Sequence, residues 1–91
     1  MTLKETLKKY LEEYVADRNE HGRHDYKAVM VDWENYGKSR TYLKVIETNK
    51  NSKHYVEQNY GYIDNQTDKY FPSKYGDIRW EHKRLNKREE E

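Results

Sequence analysis

The stretch "DYKAVMVDWENYGKSRTYLKVIET", residues 25–48, holds two strand-like segments around a single turn signal. Its first part holds an apolar run, Ala28, Val29, Met30 and Val31, bounded by polar residues and rich in β-branched side chains. Such a run suits a central strand covered on much of both faces. In "ENYGKSR", Gly37 stands where a turn can reverse the chain. "TYLKVIET" then alternates Thr41, Leu43 and Val45 against Tyr42, Lys44 and Ile46, the period of a strand with one buried face. "NKNSK" (49–53) reads as a polar turn and "HYVEQNYGYI" (54–63) alternates again. Connections this short join antiparallel neighbours, because a parallel crossover needs a longer linker. The stretch therefore predicts a meander of adjacent strands.

Upstream, Thr2 and Glu5 have the spacing of a capping box, in which each side chain satisfies an amide left unpaired at a helix start. Leu3, Leu7, Tyr10, Leu11, Tyr14 and Val15 follow as an apolar stripe of helical period, with Lys4, Lys8, Lys9, Glu12 and Glu13 between them. Gly22 is a natural stop, so a helix is expected from about Leu3 to about Asn19.

Downstream, "DNQTDKYFPSKYGD" (64–77) reads as a loop, and Pro72, the only proline, excludes a central strand there. "DIRWEHKRLNKREEE" (77–91) fits two patterns. Ile78, Trp80 and His82 have a strand period, whereas Asp77 as a cap with Ile78, Glu81, His82 and Leu85 on one side fits a short helix. A strand from about Asp77 to about Lys83 is the preferred reading, followed by a charged tail. The expected fold is α+β: an N-terminal helix packed in two layers on a three- or four-stranded antiparallel sheet. Residues 1–85 form a single domain and 86–91 a charged tail.

Ninety-one residues bound this to one small domain. Charged residues make up 38% of the chain but sum to a net charge of +1, so no strong field steers the molecule toward nucleic acid or an anionic membrane. The absence of cysteine removes disulfides, thiolate catalysis and cysteine zinc sites, and fits a reducing, cytoplasmic setting. "MTLKETLKKYLEEYV" lacks the apolar core of a signal peptide, and no apolar run approaches the ~18–20 residues that span a bilayer. Without a secretion signal the sequon at Asn65-Gln66-Thr67 carries no weight.

The ten tyrosines, against a single phenylalanine, pose the functional question. If the helix covers one sheet face, Val29, Val31, Trp33, Leu43, Val45 and Val56 form the core layer beneath Leu3, Leu7, Leu11 and Val15. The opposite face then carries Tyr26, Tyr42, Lys44, Tyr55, Glu57 and Asn59. Tyrosine suits a half-covered face, because its ring shields apolar neighbours while its hydroxyl stays in water. It also suits recognition, giving large contact area at low entropy cost. Tyr42, Tyr55, Tyr60, Tyr62, Tyr70, Phe71 and Tyr75 are the candidate partner-binding residues, most of them on or beside the long loop.

The alternative is nucleic acid, held by the C-terminal cations Arg79, Lys83, Arg84, Lys87 and Arg88. His21 and His24 flank Glu20 and Asp25, but their spacing is not diagnostic of a metal site, and His54 and His82 could join only through the fold. No metal or cofactor is expected. No nucleophile elbow, phosphate loop, dinucleotide fingerprint or zinc-protease motif occurs, so no catalytic residue is assigned. The order helix, three strands, helix resembles that of double-stranded RNA-binding domains. The family's glycine-proline-histidine loop and lysine pair are absent, so none of its residues is carried over.

Together these features point to a non-catalytic binding protein whose partner is a host protein or nucleoprotein. Small, cysteine-free domains without catalytic motifs are common products of phages and mobile elements. By that analogy the expected role is inhibition of a host enzyme or defence system, as anti-CRISPR proteins do.

Overall fold

The computed structural model describes residues 2–22, 24–49 and 55–90, with side chains to residue 87. In chain order the elements are α1 (Leu3–His21), β1 (His24–Asn35), β2 (Lys38–Asn49), β3 (Tyr55–Asp64), β4 (Lys69–Phe71) and α2 (Ile78–Glu90). The strands form one antiparallel sheet in the order β1-β2-β3-β4, with α1 packed on one face and α2 packed against α1. The α+β architecture expected from the sequence is the one observed. No described helix is long and apolar enough to cross a membrane.

Helix α1 starts at the expected N-cap: the Glu5 amide donates to Thr2 Oγ1 at 3.2 Å. Leu7, Leu11, Tyr14 and Val15 are buried, and Leu3 and Tyr10 pack at the margin. The helix runs to His21 and ends at Gly22, where a Cβ would lie 2.7 Å from the Arg18 carbonyl oxygen. The "NKNSK" turn and His54 lie outside the described residues, apart from Asn49, which closes β2.

Between β1 and β2 the chain reverses on two residues, Tyr36 and Gly37, both at positive φ (50° and 76°). This is the signature of a two-residue hairpin turn whose twist matches its strands. A turn this short fixes the register: Asn35 faces Lys38, and counting back sets Ala28 against Val45, Met30 against Leu43 and Val31 against Tyr42. Residues directly opposite share a face. Leu43 and Val45 are fully buried, so Ala28 and Met30 face the helix with them.

Three expectations are corrected here. The strand β1 is an edge strand rather than a central one, exposed from Val31 to Asn35. Val29, Val31 and Trp33 lie on the face away from the helix, because the run Ala28–Val31 is apolar in both phases and only the turn decides between them. Tyr26 lies on the helix side, where the Asn19 side chain bonds its amide at 2.6 Å and its carbonyl at 3.0 Å.

The segment expected as a strand from Asp77 is helix α2. Asp77 Oδ1 accepts the Arg79 amide at 2.9 Å, the N-cap of the helical alternative. Ile78 is fully buried, His82 stacks on Tyr10 with ring centroids 3.8 Å apart, and Leu85 packs on the core, all at helical spacing. Trp80, which suggested a strand period, points outward at 60% exposure. The helix continues through the segment expected as a tail, to Glu90.

Candidate functional site

The two faces of the sheet are chemically different. The covered face closes on Leu7, Leu11, Tyr14, Val15, Leu43, Val45, Tyr60, Ile63, Tyr70 and Ile78. Its tyrosine hydroxyls bond one another or the backbone. Tyr14 OH and Tyr60 OH are 2.9 Å apart, and Arg18 donates from Nη1 to Tyr14 OH at 2.6 Å and from Nη2 to Tyr26 OH at 3.1 Å. Burial opposes the charge on Arg18, but these hydroxyls outweigh it and hold its pKa above the ordinary value. The Tyr70 hydroxyl donates to the Tyr60 carbonyl and accepts the Ile78 amide at 3.1 Å, satisfying a bulged strand and a helix start together. Burial raises the Tyr60 and Tyr70 phenols above their usual pKa.

A bulge on β3 separates this interior from the open face. Tyr42 faces Tyr62 and Lys44 faces Asn59, so Leu43 meets two residues, Tyr60 and Gly61. Gly61 has φ +101°, and a Cβ on it would lie 2.2 Å from the Phe71 carbonyl oxygen. Only glycine fits there. The extra residue turns Tyr60 inward and Tyr62 outward, although strict alternation would put both on one side.

On the open face the registers align Val31, Tyr42, Tyr62 and Phe71 in one row across all four strands. The Tyr62 ring lies 5.5 Å from that of Tyr42 and stacks on Phe71 at 5.3 Å. The next row is Trp33, Arg40, Asp64 and Lys69. The Arg40 guanidinium lies 4.4 Å from the Tyr62 ring centroid and 5.8 Å from that of Trp33, and it donates to Tyr42 OH at 3.3 Å. Val31 and Trp33 are each 38% exposed and Phe71 42%, with Tyr42 and Tyr62 half-buried between them, so the strip is open to solvent. At its margin Lys44 pairs with Glu57 at 3.2 Å.

Of the candidate partner-binding residues, Tyr42, Tyr55, Tyr62 and Phe71 share this face. Tyr60 and Tyr70 do not: at 3% and 7% exposure they are core, placed there by the bulge and by the start of α2. Tyr75 is exposed but sits in the turn before α2, packed against the Tyr60 ring at 6.3 Å. Val29, Val31, Trp33 and Arg40 also lie on this face, although their residue types alone do not place them there. The signal that locates them is the two-residue turn, because an outward Tyr42 forces Val31 outward too.

The other candidates are scattered. His21 Nδ1 lies 3.3 Å from Asp17 Oδ1, whereas His24 Nδ1 lies 2.7 Å from Glu47 Oε1, close enough to pair by charge but not aligned as a hydrogen bond. His82 Nε2 bonds Glu13 across a cleft of about 490 Å³ between the helices. No group of three or more His, Cys, Asp or Glu side chains converges on a metal position among the described residues. Of the C-terminal cations, Arg79 binds Asp77 at 3.0 Å, and Arg84 lies 3.7 Å from Glu81 and over the Trp80 ring. Lys83 and Lys87 are exposed, and the Arg88 side chain lies outside the described residues. Comparison with family models, with curated proteins and with solved structures returns no match for this chain.

Proposed function

We propose that this protein is a non-catalytic docking module that holds a protein partner on the open face of its sheet. The observation that carries this reading is the row Val31, Tyr42, Tyr62 and Phe71, flanked by Trp33 and Arg40 and left uncovered while the other face is closed by helices. Tyrosine, tryptophan, phenylalanine and arginine are the residues enriched at the centres of protein interfaces, and Tyr, Trp and Arg dominate their binding energy. Occupying and blocking a host enzyme or defence nucleoprotein in the cytoplasm is a role such a face serves without chemistry of its own.

Nucleic acid is the second reading, since stacked rings also hold bases. The charges speak against it. Among the described residues, Arg79, Arg84 and Lys44 each have a carboxylate neighbour and Arg40 lies over rings, so these four cations are not free for phosphates. The deciding experiment is capture of partners from cell lysate by the parent chain and by a Trp33→Ala/Tyr62→Ala variant checked for folding by circular dichroism. Capture should survive nuclease treatment, fall little with salt and disappear in the variant. Capture lost to nuclease, or lost on Lys83→Ala/Lys87→Ala and steeply salt-dependent, would replace this reading with nucleic-acid binding.

A further inference from the structure

The outer edge of β1 carries a second message. Asn35 and Lys38 flank the two-residue turn, which makes them a hydrogen-bonded pair, and alternate residues back along β1 repeat that state. Trp33, Val31, Val29 and Lys27 therefore direct their backbone groups to β2. Ala28, Met30, Asp32 and Glu34 direct theirs outward, as does Tyr26, whose amide and carbonyl are both taken by the Asn19 side chain. No strand pairs with this edge among the described residues. Beside it, a groove between β1 and α1 has Ala28 and Met30 at its base and three cations, Lys4, Lys8 and Lys27, against two acids, Glu12 and Asp32, around it. Unpaired edges of this length are templates for strand addition.

The groove calls for a strand with apolar side chains toward the open face, beside Val29 and Val31, and acidic ones toward the helix wall, where Lys8 has no ion-pair partner among the described residues. The outer half of β1 is such a strand: Val31 and Trp33 lie on the open face and Asp32 and Glu34 on the other. We propose that two copies of this chain pair antiparallel through β1 about a two-fold axis at Val31, joining their sheets into one.

Several features select that register. It sets Ala28 against Glu34 and Met30 against Asp32 of the second copy, so every free outward group is paired and the Asn19 clamp on Tyr26 is left intact. It sets Val31 against Val31 and Val29 against Trp33 of the second copy, which covers Val31 and Trp33, the exposed apolar side chains of this edge. It brings Glu34 of the second copy, which has no ion-pair partner of its own among the described residues, into the groove that Lys8 lines. It also separates the helices. Lys4 bonds Asp32 at 3.0 Å and Asn19 bonds Tyr26, so α1 starts near the axis and runs away from it, and the helix of the second copy runs the other way.

The test uses sedimentation equilibrium and a single introduced thiol, which is unambiguous because the chain has no cysteine. The mass should rise with concentration from 11.3 kDa toward twice that value. Val31→Lys, which opposes two like charges across the axis, should keep the chain monomeric and folded. Val31 meets its copy as a non-hydrogen-bonded pair, with Cα atoms about 4.5 Å apart, a separation a disulfide spans. Val31→Cys should therefore oxidise to a covalent dimer at least about tenfold faster than Val29→Cys, whose two thiols lie roughly 13 Å apart along the strands. A monomer up to about 1 mM, the range of very weak association, would overturn the proposal. So would a dimer that survives Val31→Lys, or equal oxidation of the two cysteine variants.

Discussion

Tyr60 and Tyr62 stand two residues apart in one strand, yet one is 3% exposed in the core and the other belongs to the open aromatic row. Inside, Tyr14, Tyr60 and Tyr70 act as apolar rings whose hydroxyls are consumed by one another, by Arg18 and by the backbone. Outside, Tyr62 stacks on Phe71 beneath the Arg40 guanidinium and Tyr42 lies tilted beside it, both half-buried. The same residue type therefore does two jobs. A small domain with few aliphatic side chains completes its interior with amphipathic rings, provided each buried hydroxyl finds a partner. The device that sorts the two populations is the bulge at Gly61.

Changes to the interior and to its sorting device should have the largest effect. Gly61→Ala forces a Cβ to within 2.2 Å of the Phe71 oxygen at a positive φ. It should cost about 3 kcal/mol or more, since backbone strain adds to overpacking. Urea denaturation would measure it, and a loss under about 0.5 kcal/mol, the scale of ordinary surface changes, would mean the bulge is not needed. Tyr70→Phe keeps the ring but strands the Ile78 amide and the Tyr60 carbonyl, at a cost of about 1–3 kcal/mol. Hydrogen exchange should then quicken at the start of α2 before it does in β2.

Asp77→Ala removes the cap of α2 and should cost about 1 kcal/mol by thermal melting. Burial disfavours the Asp77 carboxylate, but its bonds to Arg79 prevail and hold its pKa below the ordinary 3.8. Because the folded pKa is the lower one, its contribution is present above pH 3.8 and disappears as pH falls through the folded value. Asp77→Asn should accordingly weaken the dependence of the melting temperature on pH in that acid range. An unchanged acid profile would remove Asp77 from the account.

Much of the fold was legible in the residues. The capping box at Thr2 and Glu5, the stripe through Leu7 and Leu11 and the alternation of Thr41, Leu43 and Val45 each state their structure locally. The site was half legible. Tyr42, Tyr55, Tyr62 and Phe71 could be named from composition, but the face on which each residue sits depends on registers and phases that single segments do not carry. The phase of Ala28–Val31 was ambiguous because all of its residues are apolar, and the turn at Tyr36-Gly37 resolves it. Tyr60 was misplaced because a bulge breaks alternation without changing the alternating pattern of residue types. Helix α2 is hidden in the residues because Ile78, Trp80 and His82 satisfy a strand period, and the docking of Ile78, His82 and Leu85 on the rest of the molecule outweighs it.

Denaturing Tyr60→Ala and Tyr62→Ala side by side separates a face that holds the fold together from a face that does not. Tyr60→Ala empties a buried site and leaves Tyr14 OH without its hydroxyl partner, so it should cost about 3–5 kcal/mol, as aromatic core truncations do. Tyr62→Ala removes the ring contacts to Tyr42 and Phe71 and the Arg40 guanidinium over its face, and should cost about 1–2 kcal/mol. Losses of equal size in the two variants would contradict the account, because Tyr62 would then be as much a part of the core as Tyr60.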